Sequence, residues 1–344
     1  MEIDNSLFGC TLQEMETWME LHGEKRFRAG QLFEWLYRKK VFSFDQMTNF
    51  SKELREKLAS SFIQTLSQEK VVCSEGGETE KFLWGLADGK KVESVLIYSG
   101  DRRTVCVSSQ VGCPARCAFC ASGKGGLLRN LQAAEIVEQV LQIDRILSER
   151  GERVCHVVFM GMGEPMENYD AVLRAIQILA SPTSLGISQR RITVSTVGVV
   201  EGILRLADEE LKVNLALSLH APNQHLRKKI IPYARKYDLE EILAAVDTYA
   251  EKTRRDVTYE YTLLAGINDG IDQAEELVDL LRDKQCTVNL IPYNPVEGIH
   301  LGRPSGANIT AFQRFLQENG IQTTRRYTKG DEIAAACGQL ALIS

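Results

Sequence analysis

The stretch Thr104-Val-Cys106-Val-Ser-Ser-Gln-Val-Gly-Cys113-Pro-Ala-Arg-Cys117-Ala-Phe-Cys120 joins an apolar run to three closely spaced thiols. β-Branched residues make Thr104 to Ser108 a strand, so the thiols fall on a loop at its carboxyl end. Similar runs follow at Val154 to Met160, Arg191 to Thr196, Val213 to Leu217, Val257 to Leu263 and Cys286 to Ile291. Helical stretches lie between them. In Gln132 to Glu149, Ile136, Val140, Ile143 and Leu147 share one face; others are Tyr169 to Leu179, Leu239 to Lys252, Gln273 to Asp283 and Ile309 to Asn319. Strands alternating with helices predict an α/β fold, a parallel sheet covered by helices, either barrel-like or doubly wound. In both, the active site lies at the carboxyl ends of the strands, where the cysteines already are.

Upstream the pattern differs. Leu12 to His22, Arg28 to Arg38 and Ser51 to Leu66 read as helices, and Asp88-Gly89 between Phe82–Leu86 and Val92–Tyr98 reads as a hairpin turn. The 344 residues allow about two domains. Hydrophobic residues at 44% and charged residues at 25% exclude a disordered chain. No apolar run is long enough to span a membrane, and Met1-Glu2-Ile3-Asp4 lacks a leader's basic and apolar regions, so a cytoplasmic protein without membrane association is expected. A net charge of -5 excludes indiscriminate coating of nucleic acid. Nine cysteines, an odd count without a secretion signal, favour metal or redox chemistry over a disulfide scaffold.

A structural zinc site wants four ligands, usually in two pairs, and no second Cys-x-x-Cys or His pair accompanies Cys113, Cys117 and Cys120. Three thiols on one loop instead suit a [4Fe-4S] cluster with one iron open to a substrate. The Cys-x3-Cys-x2-Cys spacing with Phe119 before the last Cys resembles the radical S-adenosylmethionine (SAM) superfamily. That resemblance implies a partial (β/α)6 barrel, with the open iron chelating the methionine moiety of SAM. Gly161-Met-Gly163-Glu164-Pro165 closes the strand that starts at Val154. Its glycines allow close backbone approach, while a Glu where a pyrophosphate would rest is wrong for a dinucleotide loop. By the resemblance, Gly163 and Glu164 hold the methionine amino group, and Ser195, Ser218, Leu219, His220 and Asn294 make further contacts with SAM.

Cys106 and Cys337, the latter in Ala336-Cys-Gly-Gln-Leu340, would singly read as buried small hydrophobes. Together with Gln31-Leu-Phe-Glu-Trp-Leu-Tyr37, Val92-Glu93-Ser-Val-Leu-Ile97, Leu217-Ser-Leu-His220 and Ile291-Pro-Tyr-Asn-Pro295, they resemble the RlmN/Cfr family of RNA adenine methyltransferases along essentially the whole chain. The resemblance implies a helical RNA-binding domain at 1–75, a hairpin linker carrying Glu93 at 76–98, a barrel at 99–330 and a segment carrying Cys337 at 331–344. Carbon 2 of adenine is no nucleophile, so a carbon radical must add to it. In the implied mechanism Cys337 takes a methyl group from one SAM, and a radical from a second SAM removes hydrogen from that methyl. The methylene then adds to the base, Glu93 accepts a proton, and Cys106 releases the product by forming a transient disulfide with Cys337. The implied substrates are an adenosine in 23S rRNA and the adenosine 3′ to the anticodon in certain tRNAs. A flavodoxin or ferredoxin would supply the electron, and a monomer is expected. Methylation at carbon 8 of the same rRNA adenosine is the nearest alternative.

Two basic clusters offer RNA contacts. Glu24 to Lys40 carries Lys25, Arg26, Arg28, Arg38, Lys39 and Lys40 interleaved with Phe27, Phe33, Trp35 and Tyr37; His225 to Tyr237 carries Arg227, Lys228, Lys229, Arg235 and Lys236 without an acid. Cys155 and Cys286 open apolar strands and read as packing residues, and Cys10 and Cys73 have no motif around them. Two other classes stay open on the residues alone: a non-catalytic zinc protein that binds RNA, and a radical activase acting on a partner protein.

Overall fold

The computed structural model describes residues 6–341, so Met1–Asp4, read above for a leader, lies outside it. Thr11 starts the first helix: its hydroxyl accepts from Glu14 N, and the Glu14 carboxylate accepts from Thr11 N at 2.8 Å, a capping box. Helices α1 (Leu12–Leu21), α2 (Phe27–Phe33, continued by a π turn Glu34–Arg38) and α3 (Lys52–Ser61) follow. The third helix ends at Ser61, before the expected Leu66, because Leu66 already opens strand β1 (Leu66–Cys73). An antiparallel meander β1, β2 (Thr79–Leu86), β3 (Lys91–Ser99) and β4 (Arg102–Cys106) comes next, with the β2–β3 turn at Asp88-Gly89.

After β4 the chain makes a small antiparallel pair, β5 (Gln110–Gly112) with β6 (Leu127–Asn130), which the sequence pattern does not announce. Parallel units then alternate: α4 (Ala133–Glu149), β7 (His156–Phe159), α5 (Tyr169–Ala180), β8 (Ile192–Thr196), α6 (Val200–Asp208) and β9 (Asn214–Ser218). They continue through α7 (Gln224–Ile230), α8 (Leu239–Thr253), β10 (Val257–Leu263), α9 (Ile271–Leu281), β11 (Cys286–Pro292), α10 (Gly306–Glu318) and β12 (Gln322–Arg325). The six expected strands are present within two residues; β12 and the short helices α6 and α7 are not among the expected elements, although α6 buries Ile203, Leu206 and Ala207 on one face.

One sheet runs β1-β2-β3-β4-β7-β8-β9-β10-β11-β12, parallel from β4 onward. It stays open, with β1 and β12 as edges among the described residues, yet residues from β3 to just beyond β12 face a single cavity. The sheet is therefore a curled partial barrel. The N-terminal helices share its core: Trp18, Leu32 and Leu36 belong to the same apolar cluster as Ile136 on α4 and Ile176 on α5. Polar ties reinforce the docking. Fully buried Glu138 on α4 accepts from Thr65 N at 2.8 Å, Thr65 Oγ1 and Leu66 N, and Lys40 pairs with buried Asp144 at 2.6 Å. No helix among the described residues is long and apolar enough to cross a membrane.

Candidate active site

The cysteine loop is stapled at its base. Cys113 N donates to Gly126 O at 3.0 Å beside the β5–β6 pair, and a Cβ on Gly112 (φ +78°) would lie only 2.0 Å from Gly126 O. Ala118 N donates to Ile230 O at 2.8 Å, seating the loop on α7. Burial pushes the Cys113 thiol up to about 12 and raises Cys117 and Cys120 as well. Such thiols ionise only against a bound cation. Among the described residues no other His, Cys, Asp or Glu joins the three thiols in a ready-made group of metal ligands. Three thiols and no fourth protein ligand on one wall of a cavity of about 1130 Å³, open mouth included, fit a cluster with a vacant coordination position.

The other candidate ligands ring the same cavity. Glu164 is buried; its carboxylate accepts from Met166 N at 3.0 Å and Val197 N at 2.8 Å, and burial pushes it up to about 7. The two glycines before it also border the cavity, and each must lack a side chain because the strand-end loop after β4 lies against it. A Cβ on Gly161 would lie 2.6 Å from Val107 O, and one on Gly163 (φ +109°) 2.7 Å from Gln110 Cβ. The strand-end loop after β4 fills that space. Ser195 and Ser218 hydroxyls meet at 3.2 Å. His220, in the left-handed region at φ +56°, accepts at Nδ1 from Thr262 N at 2.9 Å and stacks edge-on to Phe119; burial and Arg227 lower it to about 3, so the ring is neutral. Leu219 is wholly buried and lies behind the lining. Asn294 holds protein groups: it donates to Cys337 O at 3.1 Å and accepts from Thr328 Oγ1 at 3.1 Å.

Cys106, at the end of β4, and Cys337, near the C-terminus, line this cavity as free thiols. The segment carrying Cys337 is irregular and is held from outside itself. Ala121 N donates to Gly338 O at 2.8 Å, Ser122 Oγ to Leu340 O, Gln339 Nε2 to Pro295 O at 2.8 Å and Lys81 Nζ to Ala334 O at 3.3 Å. Glu93 lies one layer behind the lining. It pairs with buried Lys81 at 3.1 Å and accepts from Ala341 N at 2.9 Å, and burial, opposed by Lys81, raises it. Burial pushes the Cys106 thiol up to about 12 and raises Cys337. Arg326 lines the same cavity: burial works against its charge, but Cys337, Glu260 and Cys106 more than restore it.

Known proteins share this arrangement. The profile of the radical SAM superfamily matches residues 107–281, and that of the ribosomal RNA large subunit methyltransferase N-terminal domain matches 5–63. A probable dual-specificity RNA methyltransferase RlmN 2 of Protochlamydia amoebophila is 62% identical over 96% of this chain and 92% of its own length. The chain belongs to the RlmN family. An RlmN of Symbiobacterium thermophilum is 49% identical over 96% of the chain and 90% of its own length. A crystal structure of a radical SAM methyltransferase from Sphaerobacter thermophilus superposes with a TM-score of 0.95 at 46% identity, covering 97% of this chain and 98% of that one. As a member of the RlmN family and the radical SAM superfamily, the chain is built for a [4Fe-4S] cluster and SAM.

The structure corrects the basic clusters. Arg227 is fully buried and offers RNA nothing. Its guanidinium donates to Leu219 O at 3.2 Å, Ser218 O at 3.2 Å and Val197 O. Phe33 and Tyr37 are core residues, and Lys40 is spent on Asp144, whereas Lys25, Arg26, Phe27, Lys39 and Lys229 are exposed. Cys155 and Cys286 are half-buried, Cys10 buried and Cys73 exposed. Sequence reasoning misses Lys81, Glu260 and Arg326 in the site. Lys81 stands two positions from Leu83, which faces Glu93 across the β2–β3 register, so the hairpin turn could have placed it.

Proposed function

We propose that this chain methylates carbon 2 of an adenosine in 23S rRNA and of the adenosine 3′ to the anticodon in certain tRNAs. The observation that carries the reading is the meeting of Cys106 and Cys337, from opposite ends of the barrel sequence, in the cavity of the three-cysteine loop. Cys113, Cys117 and Cys120 would hold one cluster per chain with an open iron, and Glu164, Ser195, Ser218, His220 and Asn294 border the space for SAM. When bound, cluster and SAM supply the hydrogen-abstracting radical, for one electron from a flavodoxin or ferredoxin. Two SAM are consumed per turnover.

The protein's share is covalent. Cys337 sulfur carries the methyl group, and after loss of a hydrogen atom its carbon bonds to carbon 2. The adduct gives up one electron and the ring proton; Cys106 thiolate then bonds to Cys337 sulfur as the carbon–sulfur pair goes to the methylene carbon, which takes a proton to become the product methyl, and a two-electron thiol or flavoprotein reductant would return the disulfide to thiols. Arg326 eases the thiolate state that attack requires. Glu93 takes the ring proton, and since Ala341 N–H occupies one of its oxygens, it reaches the base only after the C-terminal segment lets go. The hairpin, the barrel and the N-terminal helices would work in the cytoplasm as a monomer.

The test is product identity. The reconstituted enzyme, given SAM, reductant and unmodified ribosomal or transfer RNA, should yield 2-methyladenosine on digestion to nucleosides. An 8-methyladenosine product, or no methyladenosine despite cleavage of SAM, rejects the reading.

A further inference from the structure

Arg227 is the strongest unexplained group in the molecule. It projects from α7, the short helix on which the cysteine loop sits through Ala118 N and Ile230 O at 2.8 Å. Its relative exposure is 0%. Nε and Nη2 donate to the carbonyls of Val197, Ser218 and Leu219, so this one side chain ties the ends of β8 and β9 together. Carbonyls are neutral, however, and no carboxylate forms an ion pair with Arg227 among the described residues. The nearby Glu164 carboxylate is committed to Met166 N and Val197 N. Nη1 is buried and has no hydrogen-bond acceptor among the described residues.

A buried guanidinium with no carboxylate in ion-pair contact is expensive, because removing a charge from water is strongly unfavourable unless a close opposite charge offsets it. A buried donor left unmade adds to that cost. The anion this position awaits is defined by its surroundings: α7 receives Ala118 N, next to Cys117, at Ile230 O, and the Arg227 partners Val197 and Ser218 line the cavity that the three cysteines share. A four-iron, four-sulfur core with three thiolate ligands is a net anion, more so after reduction, and its sulfurs accept hydrogen bonds.

We propose that Arg227 is a positioning residue for the cluster, a fixed buried countercharge behind Cys117 whose free Nη1 donates to a cluster or thiolate sulfur and makes reduction easier. The proposal rests on the reading that this chain carries a cluster. It also explains why the guanidinium is anchored at three carbonyls: a charge that tunes a redox centre must not move with solvent or substrate. Because those carbonyls lie on the loops of Val197 and Ser218 to Leu219, the same side chain would transmit the cluster's position to the border of the SAM space.

The experiment compares wild type, R227M and R227K after anaerobic reconstitution, with iron and sulfide content, then a redox titration followed by electron paramagnetic resonance. R227M loaded to the wild-type iron and sulfide content should have a more negative midpoint potential, and R227K should recover part of the shift. Full loading of R227M at an unchanged potential overturns the proposal. A second measurement does not depend on the neutral variant folding. Wild type with 15N-arginine, reduced and examined by pulsed resonance, should show a nitrogen coupling to the cluster that R227K lacks; no such coupling, or one that survives in R227K, also overturns it. Wild type that takes up neither iron nor sulfide overturns the functional reading first, and the proposal with it.

Discussion

The cavity has two walls built on opposite principles. The cysteine loop is a local structure: its ends are joined by the β5–β6 pair, its base bond runs from Cys113 N to Gly126 O, and its thiols lie within eight residues. The segment carrying Cys337 has no ladder of its own. It is held by Asn294, Gln339, Ser122 and Lys81, side chains that reach between it and three other parts of the barrel. A metal centre needs ligands whose geometry is fixed before the metal arrives, which a stapled loop supplies. A thiol that must first accept a methyl group, then meet a base, then meet another thiol needs a mount that can let go. Contacts made one at a time by side chains open more readily than a hydrogen-bonded ladder.

The sharpest division between the walls comes from their cysteines. C117S should abolish the cluster, with iron and sulfide lost and methylation down by more than the ~100-fold that losing a mere outer partner of a metal site already brings. C337A and C106A should keep iron, sulfide and SAM cleavage, yet make no methylated RNA. They should also differ from each other: C106A leaves the Cys337 adduct unresolved, so a protein–RNA species should persist on a denaturing gel, and C337A should show none. Loss of iron in C337A or C106A would break the distinction between a wall that binds and a wall that reacts.

The two walls are unequally legible in the sequence. Cys113, Cys117 and Cys120 declare themselves because a loop's spacing survives in one dimension, and apolar runs mark six of the barrel strands to within two residues. Cys106 and Cys337 are brought together only by closure of β3 and β4 against the chain beyond β12, a long-range event without a local pattern; family resemblance, not spacing, points to them. Arg227 misleads for the same reason in reverse. Its neighbours Lys228 and Lys229 make it look like one of a surface row, but on a helix adjacent positions point some 100° apart, and Ile230 marks the buried side that Arg227 shares. Gly161 and Gly163 read as close backbone approach; both border the cavity, and the tight contacts that a Cβ would make with Val107 and Gln110 are a second demand for glycine that the sequence does not reveal.

Lys81 tests the mount of the reacting wall. K81M removes one partner of a buried pair and the bond to Ala334 O, and should lower stability by ~3–5 kcal/mol on denaturation while iron content stays at the wild-type level. Methylation should fall more than SAM cleavage does. Equal loss of both would mean that Lys81 supports the whole barrel rather than Glu93 and the C-terminal segment.

Glu164 gives a pH handle on the binding wall before any cluster is loaded. Its folded value of about 7 stands above the ordinary 4.5 because of burial, so the folded chain binds the extra proton between those values. The corresponding stability is fully present below pH 4.5 and is lost as pH rises through 7, a change of roughly 3 kcal/mol. E164Q, which keeps the shape without the charge, should flatten that part of the profile in cluster-free protein. A profile unchanged by E164Q would place the titration elsewhere.

The smallest effect belongs to the outer face of α7, the platform beneath the cysteine loop. Arg227 points into the protein there, whereas Lys229 is exposed and Lys228 half-buried with a long pairing to Asp238 at 3.4 Å. An exposed pair of that length contributes little to folding, so both lysines are free to meet phosphate. K228A/K229A should therefore leave stability, iron content and SAM cleavage unchanged. RNA affinity should weaken, with the slope of log affinity against log salt reduced by about 1–2, one increment for each phosphate that a lysine no longer neutralises. An unchanged slope would remove α7 from the RNA surface and leave Lys25, Arg26, Phe27 and Lys39 of the N-terminal helices as the exposed basic face, and only then would the helix be a platform on its inner side alone.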